Sequence, residues 1–418
     1  MNNYMNFLQE NKHEYQVFNT IKEMALNNGF TPAEDNPGHK KLIYDSFVSV
    51  EDNPASKKLI FEFRNKLIAL VEVGTTNKVN LVVSHIDSPR LDVIPNNPFV
   101  EKDDGVFVKV QDFGGIIPQS WLDRPLVLVG KAYNKNGDLV LIDSDKDNVY
   151  FTIASLLPHL DGREEMKKLD YDKLLVNVGA HFFDYMKKEY GVSKENMILA
   201  DLSFVPKNDV YELGYEKELI AGYGHDDRSC AYAELRAMLD SKHSDNTKIA
   251  LFTCYEETGS AQSSGAQSEF IDDIFLYLAN GNYFNARHMI RNTKVLSADV
   301  CMGYDHKFDS HFESNCKAIC GKGVGIVPFT GRKSGNDATI EMREYVKKLA
   351  VSNNIEYQLE TTKVTERGGG TVAKFFATRG MEVIDVGIPV LAMHSPQELI
   401  HENDLEQAYR LYKVFFEN

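Results

Sequence analysis

The stretch KVNLVVSHIDS (residues 78–88) constrains the chain more than any other. It is a mostly apolar run that stops at His85 and Asp87. An apolar run of that length with a polar end reads as a strand buried on both faces, and such strands belong to parallel sheets covered by helices. The pattern recurs. KIALFTCY (248–255) ends at Glu256 and Glu257, VLSADVCM (295–302) carries Asp299, and PVLAM leads into His394. Asp226 stands in GYGHDDRSC, just ahead of a helical stretch from Ser229 to Leu239. Ligands of open α/β sheets sit beyond the carboxyl ends of the strands. Polar stops on separate strands therefore predict one converging cluster.

The rest of the chain fits that frame. Residues 1–30 carry Phe7, Tyr15, Phe18, Ile21 and Met24 at helical spacing. After residue 225, strand and helix alternate: helices are expected at 268–279, 336–352, 371–378 and 403–416, and a strand at 381–387. Between about 90 and 220 the texture differs. VFVKV (106–110), LVLVGKAY (126–133) and LVLIDS (139–144) are short β-like runs with turn residues between them, interrupted by one helix near 170–192. The expected fold class is α/β, with helices on both faces of the sheet and a β-rich insertion. The division is 1–88 and 223–418 for the catalytic domain and 89–222 for the inserted one.

Composition excludes some functions. With Lys+Arg 46 against Asp+Glu 61, the net charge is −15. Nucleic acid and anionic membrane both need a basic surface, so neither is expected as a partner. The start, MNNYMNFLQENKHEYQVF, lacks the basic and apolar regions of a secretory signal, and no apolar stretch is long enough to span a bilayer. Cys230, Cys254, Cys301, Cys316 and Cys320 are an odd set that reads as reduced thiols in a cytoplasmic protein, with Cys316 and Cys320 as core residues.

The residue types at the strand ends suit two metal ions. Imidazoles with carboxylates bind zinc and similar metals, and paired ions in hydrolases sit roughly 3.5–4 Å apart around an attacking water. Such a site also needs a carboxylate that is not a ligand, to act as base. At a strand end leading into a loop, Glu256 and Glu257 can both turn toward one site, one binding metal and one holding the water. Each residue alone has a plainer use: Asp226 and Asp227 as a helix cap, the glutamates as a solvated loop. GIVPFTGRKS (325–334) is not a phosphate-binding loop, since five residues separate Gly325 from Gly331 and Arg332 precedes Lys333.

The motifs HIDSPRLDV, HDDRSC, EETGSAQSSGAQS, SADV, GGGTVA and LAMHSPQEL occur in one order along nearly the whole chain. Together they resemble the M18 metallo-aminopeptidases, the family of aspartyl aminopeptidase. GGIIPQSWLDRPLVLVGK is similar to that family's dimerisation domain. The resemblance implies a mixed-sheet zinc-peptidase catalytic domain of the phosphorylase/hydrolase-like kind, with an inserted β-rich dimerisation domain. It implies two divalent metal ions, zinc first and Co²⁺ or Mn²⁺ as alternatives. His85 and Asp299 would hold one ion, Glu257 and His394 the other, and Asp226 would bridge them. Asp87 would orient His85, and Glu256 would be the general base working on a metal-bridging water. His159 would reach into a neighbouring subunit's site within a dodecamer built from dimers. The substrates would be peptides with a free N-terminus.

The sequence departs from the family at one place. Acidic-specific members carry a lysine in a GPVIK-like stretch, where this chain has Val327, with Lys322, Arg332 and Lys333 nearby. Acidic and neutral N-terminal residues thus both stay open as substrates. A two-metal carboxypeptidase or deacylase is the alternative activity.

Overall fold

Every residue of the strands Val79–His85 and Thr247–Thr253 is buried. The two run parallel, and Thr293–Ser297 and Glu382–Gly387 extend the parallel set on the far side of Val79–His85. Successive side chains of a strand point to opposite faces. Leu70, Val82, Phe252, Leu296 and Ile384 accordingly join one core, and Leu81, Val83, Leu251, Val295 and Val383 the other. Burying each such side chain contributes about 1.5–3 kcal/mol. Helices cover both cores. Asn2–Glu10, Glu14–Asn27, His225–Asp240, Ile340–Ser352 and Glu402–Phe416 supply the first, through residues such as Tyr4, Val17, Met238, Val346 and Leu411. Phe270–Leu278, Tyr283–Arg291 and Ala373–Arg379 supply the second, through Ile274, Ile290 and Phe376.

This computed structural model describes residues 2–33, 57–160, 162–167, 169–330, 335–363, 365–366 and 369–418. Among them the main sheet has nine strands. Their order is Thr31–Pro32, Lys58–Phe63, Leu67–Glu72, Thr247–Thr253, Val79–His85, Thr293–Ser297, Glu382–Gly387, Val324–Val327 and Tyr357–Leu359. Antiparallel pairings of Leu67–Glu72 with its two neighbours, and of Val324–Val327 with Glu382–Gly387, make the sheet mixed. A second sheet is antiparallel throughout. It orders Leu175–Asn177, Gly105–Phe113, Arg90–Val93, Asp201–Pro206, Leu126–Tyr133 and Leu139–Asp143, with Phe99–Lys102 on Gly105–Phe113. It buries its own core around Trp121, Phe182 and Phe204. Among the described residues no helix is long and apolar enough to cross a membrane.

Several local expectations need correcting. The helix expected at 170–192 is only Phe182–Tyr190. Before it, Leu175–Asn177 is a strand, because Val176 buries itself by pairing with Gly105–Phe113. VLSADVCM is not one strand: it stops at Ser297 and resumes as Cys301–Met302, paired with Pro389–Val390. Between the halves the backbone of Asp299 presses on Gly387, where an added Cβ would lie 1.5 Å from the Asp299 carbonyl oxygen. Only glycine fits there. Ile340–Ser352 begins later than expected, where Thr339 accepts a hydrogen bond from the Met342 N–H. All five cysteines are free, but Cys316 and Cys320 are half-buried rather than core. Arg332 and Lys333 lie outside the described residues.

Candidate active site

The parallel strands end on one edge, and their polar stops meet there. His85 is the last residue of its strand and sits in register with Thr253, just ahead of the glutamates. Tyr255 then adopts a left-handed conformation (φ +65°) and the chain enters the 3₁₀ turn Glu256–Thr258. That reversal lets both glutamates face the cluster. The Gly/Ser/Ala run folds back beside it: the Cys254 N–H donates to Ser264 O at 3.1 Å and the Ser260 N–H to Tyr255 O at 2.7 Å. Asp226 comes from the start of the helix His225–Asp240, where Asp226 and Asp227 depart from helical geometry instead of simply capping it. His394 enters from the opposite side, also left-handed at φ +65°.

Two donor triads result, His85–Asp226–Asp299 and Asp226–Glu257–His394, each with its ligand atoms within 4.8 Å of one another. Asp226 belongs to both. His85 Nε2 lies 3.2 Å from Asp226 Oδ1 and 3.7 Å from Asp299 Oδ1. His394 Nε2 lies 3.2 Å from Asp226 Oδ2 and 3.4 Å from Glu257 Oε2. The opposite ring nitrogens are committed. His85 Nδ1 donates to Asp87 O at 3.0 Å and His394 Nδ1 to Gly115 O at 2.6 Å. A carbonyl only accepts, so Nδ1 carries a proton, and whenever the ring is neutral Nε2 offers its lone pair to the cluster.

Charge here is one-sided. Burial pushes the Glu256 carboxyl up, and nearby Asp299 adds to it, to about 8. Burial likewise raises Glu257, Asp227 and Asp299, with neighbouring carboxylates adding to the shift. Burial alone would lower both histidines, but Asp226 and its acidic neighbours outweigh it and draw protons onto them, His394 to about 10. Asp226 is held below the usual range, because the two histidines outweigh its burial. Acidic groups at this density call for positive charge, supplied by protons or by metal cations.

Every strand-end residue picked out in the sequence reaches the cluster. His159 does not. It lies in the exposed 3₁₀ turn Pro158–Leu160 and belongs to neither triad. Asp87 is fully buried and accepts the N–H groups of Glu256 and Glu257, each at 3.3 Å. Three participants escaped sequence reasoning. Asp227 accepts the His85 N–H at 3.1 Å. Glu398 accepts the N–H groups of Asp226 at 3.1 Å and His394 at 2.7 Å. The Gly114–Gly115 turn of the second sheet's chain also packs on the site. A Cβ on Gly114 (φ +77°) would meet Glu257 Oε2 at 3.0 Å. The double glycine was the one visible signal of that contact.

A parallel-sheet edge that gathers paired imidazole and carboxylate donors around a shared aspartate defines a metallohydrolase. Comparison with known proteins narrows the class. Residues 7–416 match the family described as Aminopeptidase I zinc metalloprotease (M18). A probable M18 family aminopeptidase 1 of Borrelia garinii subsp. bavariensis is 33% identical over 99% of this chain and 94% of its own. The crystal structure of an M18 family aminopeptidase from Thermotoga maritima shares the fold with a TM-score of 0.92 at 31% identity, covering 100% of this chain and 95% of that one. Aminopeptidase I from Clostridium acetobutylicum gives a TM-score of 0.85 at 26% identity, covering 99% and 94%. The chain belongs to the M18 family of aminopeptidases, which are metallopeptidases.

Proposed function

We propose that the chain removes single residues from the N-terminus of peptides at a site for two divalent ions. One observation carries this reading: two donor triads share the buried Asp226, while Glu256 stands beside them in neither. Buried oxygens of Asp226 and Glu257 that find no hydrogen-bond partner among the described residues support the fit to cations. The nitrogen and oxygen donor set suits zinc first, with Co²⁺ or Mn²⁺ as alternatives. His85 and Asp299 would hold one ion, Glu257 and His394 the other, and Asp226 both. When bound, the ions supply Lewis acidity to a water and to the scissile carbonyl.

The chain's own residues do the rest. Glu256 takes a proton from the attacking water as its oxygen bonds to the scissile carbonyl carbon. When the C–N bond breaks, Glu256 returns that proton to the leaving amine. Asp87 fixes the turn that carries Glu256 and Glu257 through its two backbone contacts. The acidic surroundings attract the substrate's free amine. Residues 89–222 would form the dimerisation domain and 1–88 with 223–418 the catalytic one. The exposed His159 turn would then serve a neighbouring copy in a dodecamer built from dimers. Free thiols accord with a cytoplasmic protein.

On specificity, Val327 packs with Cys301 and Ala318 in a small apolar cluster, and Lys322 is exposed. This favours neutral N-terminal residues over acidic ones. The test is a panel of Asp, Glu, Leu, Lys and Met aminoacyl chromogenic substrates with added Zn²⁺, Co²⁺ or Mn²⁺. Activity should vanish on chelation, return with metal, and be lost when the substrate's amine is acetylated. Cleavage of acetylated peptides would instead point to the carboxypeptidase or deacylase alternative. Preference for Asp or Glu would overturn the specificity.

A further inference from the structure

We infer that Glu398 is a positioning residue that holds the turns of Asp226 and His394 as one unit, and so sets the shape of the metal site. The inference rests on the two-ion reading above. Glu398 opens the strand Glu398–His401 and is 1% exposed. It lies in register with Gly222 on the strand Leu219–Gly222, which leads directly into the Asp226 turn. Its two oxygens divide their work. Oε1 accepts the His394 N–H at 2.7 Å and Oε2 the Asp226 N–H at 3.1 Å.

These two backbone groups belong to residues far apart in the chain whose side chains meet in the site, His394 Nε2 standing 3.2 Å from Asp226 Oδ2. Fixing both main-chain origins fixes the spacing of the side chains they carry. The need is greatest at His394. The loop is closed by reciprocal hydrogen bonds between Leu391 and Leu399, and inside it Ala392 and His394 are both left-handed. Non-glycine residues hold that conformation only where surrounding contacts impose it. The Glu398 carboxyl is the partner that holds His394 there. A glutamine at this position keeps the shape but has one accepting oxygen, and its amide nitrogen would face a backbone donor.

Three forms of the full chain test this: wild type, Glu398→Gln and Glu398→Asp. The first readout is the zinc dissociation constant, by competition with a chromogenic chelator. The second is the visible absorption spectrum of the cobalt-loaded protein, which reports coordination geometry. The third is the separation of kcat from KM. Partners that orient metal ligands typically matter 10–100-fold for affinity or activity, so Glu398→Gln should weaken zinc by about that factor. It should also shift the cobalt bands and lower kcat more than it raises KM. Glu398→Asp keeps both oxygens and should lose less. If Glu398→Gln fails to fold, Glu398→Asp carries the test through the same zinc and cobalt readouts. Zinc affinity within twofold of wild type and unchanged cobalt bands in Glu398→Gln, or in Glu398→Asp where only that variant folds, overturn the inference. Wild type that binds neither ion sinks the two-ion reading itself, and the inference with it.

Discussion

Two clusters of charge, each with a buried centre, flank Tyr255, and they obey opposite rules. At the junction of the two sheets, Glu14 meets Arg90 at 3.1 Å and Lys66 at 3.2 Å, Arg90 also meets Asp92 at 2.7 Å, and Lys66 meets Asp201 at 3.3 Å. Tyr15 completes it by donating to Asp201. Each carboxylate there has a cation. At the strand ends beyond Tyr255, Asp87, Asp226, Asp227, Glu256, Glu257 and Asp299 crowd around two imidazoles, and among the described residues the ion pairs of Asp87, Asp226, Glu257 and Asp299 are with His85 and His394. Burial would raise Glu14 as it raises Glu256, yet Arg90, His13 and Lys66 outweigh it and hold Glu14 below the ordinary range. At Glu256 burial and Asp299 outweigh the opposing pull of His85, and the carboxyl is pushed up to about 8. The first cluster is closed and belongs to stability. The second carries the acidic excess that the two proposed cations would balance.

That contrast can be broken by substitution. The largest effect is expected from Glu256→Gln. Loss of the proposed general base should lower kcat by about 10²–10⁴-fold. The thermal midpoint of the chelated protein should not fall, because the change removes a carboxyl from a crowded acidic site. A drop of less than tenfold in kcat would remove Glu256 from its role. Glu14→Gln should do the reverse. Among the described residues it leaves Arg90 paired with Asp92 alone and Lys66 with Asp201 alone. Breaking a buried pair outright costs about 3–5 kcal/mol, and the loss here should approach but not exceed that. Urea unfolding should register that loss, while kcat of the folded fraction stays within tenfold.

The acid limb sharpens the same comparison. The folded value of Glu14 lies below its ordinary 4.5. Its contribution is therefore fully present above that pH and is lost as pH falls toward the folded value. Stability of the wild type should decline through this range, and Glu14→Gln should flatten the decline. Equal slopes in the two proteins would show that other carboxylates govern acid unfolding. The smallest effect is expected where the clusters touch. The Tyr255 hydroxyl accepts a hydrogen bond from Lys66 Nζ at 2.9 Å. Tyr255→Phe should cost about 0.5–1.5 kcal/mol in stability and a few-fold in kcat. A larger loss in kcat than in stability would make Lys66 part of the catalytic positioning.

Much of this was legible in the sequence. The apolar runs before His85, Glu256, Asp299 and His394 foretold buried strands whose polar ends converge, because burial on both faces leaves few other readings of such runs. The helix near 170–192 failed because buried Val176 serves a strand as well as a helix, and only its partner decides. Glu398 was illegible for a related reason. It resembles any glutamate near a strand, and its importance comes from where two remote N–H groups happen to lie. The junction was hidden likewise, since nothing local in Glu14 or Arg90 announces that they meet.

By itself, the sequence determined which segments bury both faces, which residues end them, and an acidic balance that disfavours polyanionic partners. Those are local properties, set by side-chain periodicity and charge. Only the tertiary structure decided which ends are neighbours. Thr247–Thr253 is inserted between Leu67–Glu72 and Val79–His85, so spatial order does not follow chain order. That insertion sets Glu256 and Glu257 beside His85. The meeting of Asp226 with His394, the carbonyl of Gly115 behind that histidine, and the double grip of Glu398 are equally products of packing. Packing fixes distances between residues remote in sequence, and no pattern within one segment encodes them.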